Sequence, residues 1–320
     1  MTNVTRRLVG IAGLTAVALA VSAATIGAEN VAVGAAFREL PRLTTDFSPA
    51  FFSREIDSLA GHREARVFLG DSVLWGYRLR ADEAAVTILA RRGCDCTNLS
   101  FKAGSPANDY AVLRLLHVRG VRARAVVLEV NQKAFNVADP SYQTLHPAIA
   151  DLAAPLLDAP DRALLDLRRP TPTWYDRALS ERWLVYAMRT DIRETLFGEA
   201  DAAPQPEPTA ADFEGSYNLH PLDEKNVAVH FLEKTADVLR ADGVRGVAFL
   251  TPTNHRLLHR YIDNAAYRAN AAYLRTLLER RGVRVLDLDT AFAADDFFDN
   301  DHLKADAQGR LAAILGAALR

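Results

Sequence analysis

Two short stretches of this sequence carry the residue types of nucleophilic catalysis. Gly70-Asp71-Ser72 follows the apolar run Val67-Phe68-Leu69, and Asp299-Asn300-Asp301-His302 lies just ahead of the last helix-like segment. A serine hydroxyl attacks poorly until a base takes its proton, and an imidazole suits that task near neutral pH. A carboxylate three positions before the histidine, Asp299, can hold the other ring nitrogen and fix its tautomer. Asp301 is acidic too, but Asp299 has the expected spacing. Each stretch also has a plainer reading: Asp and Ser cap helices, and an Asp-rich loop can simply lead into one.

Acyl transfer builds negative charge on the carbonyl oxygen, so donors must be found for it. The backbone N–H of Ser72 is one. Gly104 offers another, because a backbone without a side chain can approach the substrate closely. The Asn131 side-chain amide, in Glu129-Val130-Asn131, is a third. His255, in Thr251-Pro252-Thr253-Asn254-His255, is a candidate substrate contact, the alternative being an ordinary loop histidine.

These residues matter only if the fold brings them together. Arg66–Gly70, an apolar run ending in Gly of the kind buried on both faces, and Thr97–Phe101, Ala123–Val130, Gly243–Leu250 and Val283–Leu288 read as strands. Between them Ala81–Arg92, Ala107–Val118, Leu222–Ala241 and Ile262–Arg281 have helical patterns, and Asp306–Leu319 closes the chain. Strand–helix alternation predicts an α/β domain of three layers, α/β/α, around a five-stranded, mainly parallel sheet of flavodoxin-like type. Ser72, Gly104, Asn131, His255 and His302 then all follow strands and fall at the carboxyl end of the sheet, where open α/β sheets bind ligands. The stretch 146–219 breaks the alternation and reads as a helical insertion, either a lid or extra helices on the core. It holds a helix over Ser180–Phe197 and a Pro-rich loop over Glu199–Pro208.

The ordered set Ser72, Gly104, Asn131 and His302 resembles the four blocks of the SGNH (GDSL-type) hydrolase family. Val67–Ser72 (VFLGDS) matches the first block, and Asp299 with His302 matches the DxxH pattern of the last. The resemblance covers about residues 64–135 and 244–319. It implies Ser72 as nucleophile, His302 as general base, Asp299 as its orienting carboxylate, and Ser72, Gly104 and Asn131 as the oxyanion hole. The third block departs from the family's Gly-x-Asn-Asp, since Glu129-Val130-Asn131-Gln132 stands there. Loosened forms of this kind resemble the envelope-anchored branch that O-acylates surface polymers.

Arg6 and Arg7 precede an uncharged run from Leu8 to Ala28, and Glu29 follows. The run is long enough, at roughly 30 Å, to cross a bilayer core. The charge order predicts an extracytoplasmic chain. Small residues at Ser22, Ala23 and Ala24 offer a cleavage site, but the length favours a retained anchor. The domain organisation is therefore an anchor and connector over 1–37, an SGNH-type domain over 38–145 and 220–320, and the insertion over 146–219. A net charge of −2 argues against nucleic acid as the partner. The eight scattered histidines and two cysteines predict no metal and no cofactor. Cys94 and Cys96 read as free thiols, with a small redox loop as the alternative. The expected function is a serine esterase on acylated carbohydrate or another ester. The first alternative is an O-acyltransferase working with a membrane acyl-donor protein, and the second a non-catalytic anchored binding or assembly factor.

Overall fold

Five parallel strands form the sheet of the computed structural model, in the order β2-β1-β3-β4-β5. The structure describes residues 21–30, 49–62, 64–136, 140–165, 208–217 and 220–320, with short stretches between 167 and 187. The strands are β1 (Arg66–Leu69), β2 (Cys96–Asn98), β3 (Ala125–Val130), β4 (Arg245–Leu250) and β5 (Arg284–Asp287). All five expected strands are present, four of them trimmed and β2 shifted to begin at Cys96 and end at Asn98, and every pairing is parallel.

Alternate strand residues build the two faces. Val67, Leu69, Val126, Leu128, Ala248 and Leu250 point to one core, which α1 (Pro49–Ser58), α4 (Pro106–Val118), α7 (Val227–Ala241) and α9 (Ala265–Glu279) cover. Phe68, Val127, Val247 and Phe249 point to the other, covered by α3 (Ala85–Arg91) and α10 (Ala305–Ala318). The result is three layers, α/β/α. The chain leaves β1 on one face and β2 on the other, so the strand order reverses between β1 and β3. Ligand sites of doubly wound sheets lie at that switch point, beyond the carboxyl ends of the strands.

Several elements differ from the sequence reading for local reasons. The helix expected from Ala81 starts at Ala85, because Glu83 folds back to accept the Arg80 N–H at 2.9 Å and holds a turn. The helix expected over Ile262–Arg281 is α9, shortened at both ends, and a separate helix that was not expected, α8 (His255–Ile262), precedes it; the two part at Asp263-Asn264, where Asn264 caps α9 through the Tyr267 N–H at 2.8 Å. The start of the insertion is part of the domain. Leu145, Ile149, Ala153, Leu157 and Leu165, around α5 (Pro147–Ala153) and α6 (Ala159–Ala163), are buried in the first core. Most of Ser180–Phe197 and nearly all of Glu199–Pro208 lie outside the described residues.

Cys94 and Cys96 are joined in a disulfide with Cα atoms 5.2 Å apart, which corrects the expectation of free thiols. Residues two apart on an extended segment point the same way, and here the segment enters β2 with Asp95 bonded to Arg66. Among the described residues no helix is long and apolar enough to cross a membrane. Residues 21–30 are helical, and the first part of the run Leu8–Ala28 lies outside the described residues.

Candidate active site

The nucleophile candidate sits on a single helical turn, α2 (Ser72–Trp75), two residues beyond β1. Gly70 makes that exit possible. Its φ is +149°, and a Cβ there would lie 2.3 Å from the Glu129 Cβ on the neighbouring strand. Glu129 in turn anchors the start of the turn. Its Oε2 accepts the backbone N–H of Asp71 at 3.1 Å and of Leu74 at 3.0 Å, groups that a helix start leaves without intrahelical partners. Burial, reinforced by the Asp71 carboxylate, holds the Glu129 carboxyl well above the usual carboxylate range. Burial and Asp71 do the same to Asp109, behind the site.

His302 reaches Ser72 from the far end of the chain. Its Nε2 lies 2.8 Å from Ser72 Oγ, and its Nδ1 lies 2.8 and 2.9 Å from the two Asp299 oxygens. Asp299 Oδ1 also accepts the His302 backbone N–H at 3.0 Å, so one carboxylate fixes both the loop and the ring. Burial alone would raise the Asp299 pKa; the His302 ring and the loop N–H groups outweigh it and hold it below the usual range. The loop itself is pinned by Asn254, whose N–H donates to Asn300 O at 2.8 Å and whose amide donates to Asp299 O at 3.0 Å. The Tyr77 ring packs 4.6 Å from the His302 ring. Ser72 is 3% exposed, so the relay is shielded from bulk water.

The three expected oxyanion donors converge on one place, and the Asp71 carboxylate is there. Oδ1 accepts from Ser72 N at 2.6 Å and Gly104 N at 3.1 Å; Oδ2 lies 3.5 Å from Asn131 Nδ2. Gly104 has to be glycine, since a Cβ would fall 2.1 Å from the Gly70 carbonyl oxygen. The preceding residue, Ala103, takes a positive φ of 57° to present it. A substrate oxygen using these donors has to displace Asp71 from them.

His255 stands apart from this relay. Its Nε2 bonds Asp289 Oδ2 at 2.9 Å, and Tyr267 donates to the other Asp289 oxygen at 2.6 Å. The Asp289 bond holds the His255 pKa above its ordinary value. In that segment the residue touching the Asp299–His302 loop is Asn254, which the sequence reading passed over. Lys133 was also missed, and Asp301 was set aside in favour of Asp299. Asp301 Oδ2 accepts from Lys133 Nζ at 2.6 Å and from Asn131 Nδ2 at 2.7 Å. The available signal was the altered third block, where Glu129 and Lys133 bracket Asn131.

Ligand atoms of Asp299, Asp301 and His302 lie close enough together to surround one cation. Both Asp299 oxygens, however, already serve His302, and the Lys133 ammonium already holds Asp301 Oδ2. Asp299, His302 and Ser72 instead form a continuous carboxylate–imidazole–hydroxyl hydrogen-bond chain. The chain matches no family model and no curated protein sequence.

Proposed function

We propose that this chain is a serine esterase of the SGNH type that cleaves acyl esters, with O-acyl groups of a cell-envelope glycan as its substrates. The observation that carries the reading is the continuous relay Asp299–His302–Ser72, hydrogen-bonded at 2.8 Å on both sides of the imidazole. A hydroxyl bonded to the ring nitrogen of a histidine, which is itself held by a carboxylate, is poised to lose its proton on attack.

In this mechanism Ser72 Oγ bonds to the acyl carbon while its proton passes to His302 Nε2. The carbonyl oxygen, now negative, takes the Ser72 and Gly104 N–H groups and the Asn131 amide from Asp71. The ester C–O bond then breaks, and the leaving alcohol takes the proton from His302. Water, deprotonated by His302, attacks the acyl-serine and releases the carboxylic acid, restoring Ser72. A sugar hydroxyl in place of water would make the same residues a transferase.

Two further features support an extracytoplasmic location. One is the charged-then-apolar N-terminus. The other is the Cys94–Cys96 disulfide, a bond that persists in oxidising compartments. The test is p-nitrophenyl acetate hydrolysis by the full-length chain and by Ser72→Ala. A burst of nitrophenol followed by turnover, lost in the variant, supports the reading, and added glycan acceptors then separate transfer from hydrolysis. Equal rates in both proteins overturn it.

A further inference from the structure

We propose that Lys133, acting through Asp301, sets how readily His302 takes a proton, and so is a positioning residue of the site; this inference rests on the relay reading above. Asp301 is wholly buried, one residue before His302. Its Oδ2 is held by Lys133 Nζ at 2.6 Å and by Asn131 Nδ2 at 2.7 Å. Its Oδ1 has no hydrogen-bond partner among the described residues and lies 3.4 Å from His302 Nδ1. One carboxylate therefore spans the gap between the imidazole and a lysine on the opposite side of the switch point. Lys133 lies in the 3-10 turn Gln132–Phe135 that follows β3, and it is 8% exposed.

The charge balance gives this arrangement its consequence. Two carboxylates, Asp299 and Asp301, face the same ring nitrogen. Together they would bind a proton on His302 so tightly that it would be a poor base near neutral pH. The Lys133 ammonium cancels one of those charges, leaving a single negative charge for the imidazolium that forms when Ser72 attacks. Lys133 is fit for that role. Burial works against its charge, but Asp301 and Asp71 outweigh burial and hold its pKa well above the ordinary lysine value.

The other groups facing His302 do not duplicate this. Ser72 Oγ is the hydroxyl it serves. The Tyr77 ring is uncharged, with Lys102 and Arg78 lying over it at 4.8 and 5.4 Å. Asp71 lies on the other side of Lys133, at 3.5 Å. Glu129 and Tyr217 feel Asp301 and Lys133, but burial keeps both toward their neutral forms.

The test is an NMR titration of the His302 ring in the full-length chain, assigned with His302→Gln. It is run on the parent, Lys133→Met, Asp301→Asn and the double variant, beside the pH dependence of kcat/KM for p-nitrophenyl acetate. Lys133→Met is expected to raise the His302 midpoint by about one to two pH units, and Asp301→Asn to lower it by a similar amount. The double variant removes one positive and one negative charge and leaves the net charge of the site unchanged, so it is expected to return close to the parent even if Lys133→Met folds poorly. The acid limb of kcat/KM should follow the same order. A lysine that merely braced the fold would change yield or kcat and leave every midpoint in place, and that result would overturn the inference. The ring titration reads out without turnover. If the parent cleaves no ester, the functional reading fails while the midpoints still decide the role of Lys133. If the parent turns over and the midpoints coincide, the Lys133 inference alone falls.

Discussion

Replacing Glu129 probes how the nucleophile is held. Its carboxyl accepts two buried backbone N–H groups, those of Asp71 and Leu74, at 3.1 and 3.0 Å. Glu129→Ala leaves both without an acceptor, and each buried donor so stranded costs about 1–3 kcal/mol. The sum, about 2–6 kcal/mol, is a large share of the roughly 5–15 kcal/mol that stabilises a typical domain. Glu129→Gln keeps an oxygen for both donors and removes the ionisable group, so the two variants separate hydrogen bonding from charge. A carboxyl whose folded-state pKa is raised, as burial and Asp71 raise that of Glu129, stabilises the fold fully below its unfolded pKa. That contribution is lost as pH rises through the folded-state pKa. Glu129→Gln lacks this dependence. It should gain on the parent by up to about 1.4 kcal/mol per pH unit from about pH 4.5 upward, until Glu129 ionises in the folded protein. Urea denaturation followed by circular dichroism from pH 5 to 9 measures both effects. A parent and Glu129→Ala with the same midpoint, or a Glu129→Gln variant that loses ground as pH rises, would refute the reasoning.

Other perturbations test neighbouring parts of the account. Gly104→Ala puts a Cβ 2.1 Å from the Gly70 carbonyl oxygen and displaces an oxyanion donor, so kcat for ester cleavage should fall about a hundredfold or more in steady-state assays. Asp299→Asn should lower kcat by about three to four orders of magnitude, because the ring loses its orienting acceptor. The lowered pKa of Asp299 stabilises the parent above the ordinary Asp range, and that contribution is lost as pH falls through its folded-state value. Acid unfolding curves should therefore converge for the parent and Asp299→Asn at the lowest pH. Cys94→Ser with Cys96→Ser opens a very short loop and should cost about 1–2 kcal/mol in chemical denaturation. Thiol titration of the unreduced, unfolded parent should detect no free cysteine.

The parts of this fold legible in the sequence are those governed by local pattern. Val67-Phe68-Leu69 and Ala125–Leu128 are uninterrupted apolar runs because both faces of each strand are covered, and such runs can be read without knowing their neighbours. Ser72 and the Asp299–His302 pair were legible because their chemistry demands fixed types at fixed spacing. What escaped depends on contacts distant in sequence. Lys133 meets Asp301 only because the loops after β3 and β5 converge above the switch point. Glu129 read as a lost family glycine, whereas its side chain takes the space that Gly70 leaves open and receives the N–H groups of the α2 turn. His255 was singled out for following β4 at the carboxyl end of the sheet, and the contact that its neighbour Asn254 makes with the Asp299–His302 loop was not read from the sequence. The start of α9 was legible in principle, since Asn264 is a capping residue just inside the helix expected from Ile262, whereas α8 was not expected at all.

The most direct test of the central claim is the reactivity of Ser72 itself. A fluorophosphonate probe reacts with a serine only where a base activates the hydroxyl, and mass spectrometry of the digested protein locates the adduct. The account predicts a single adduct on Ser72 in the full-length chain, suppressed in His302→Gln and in Asp299→Asn while both variants remain folded. No adduct on Ser72, or one that forms at the same rate without His302, would contradict it.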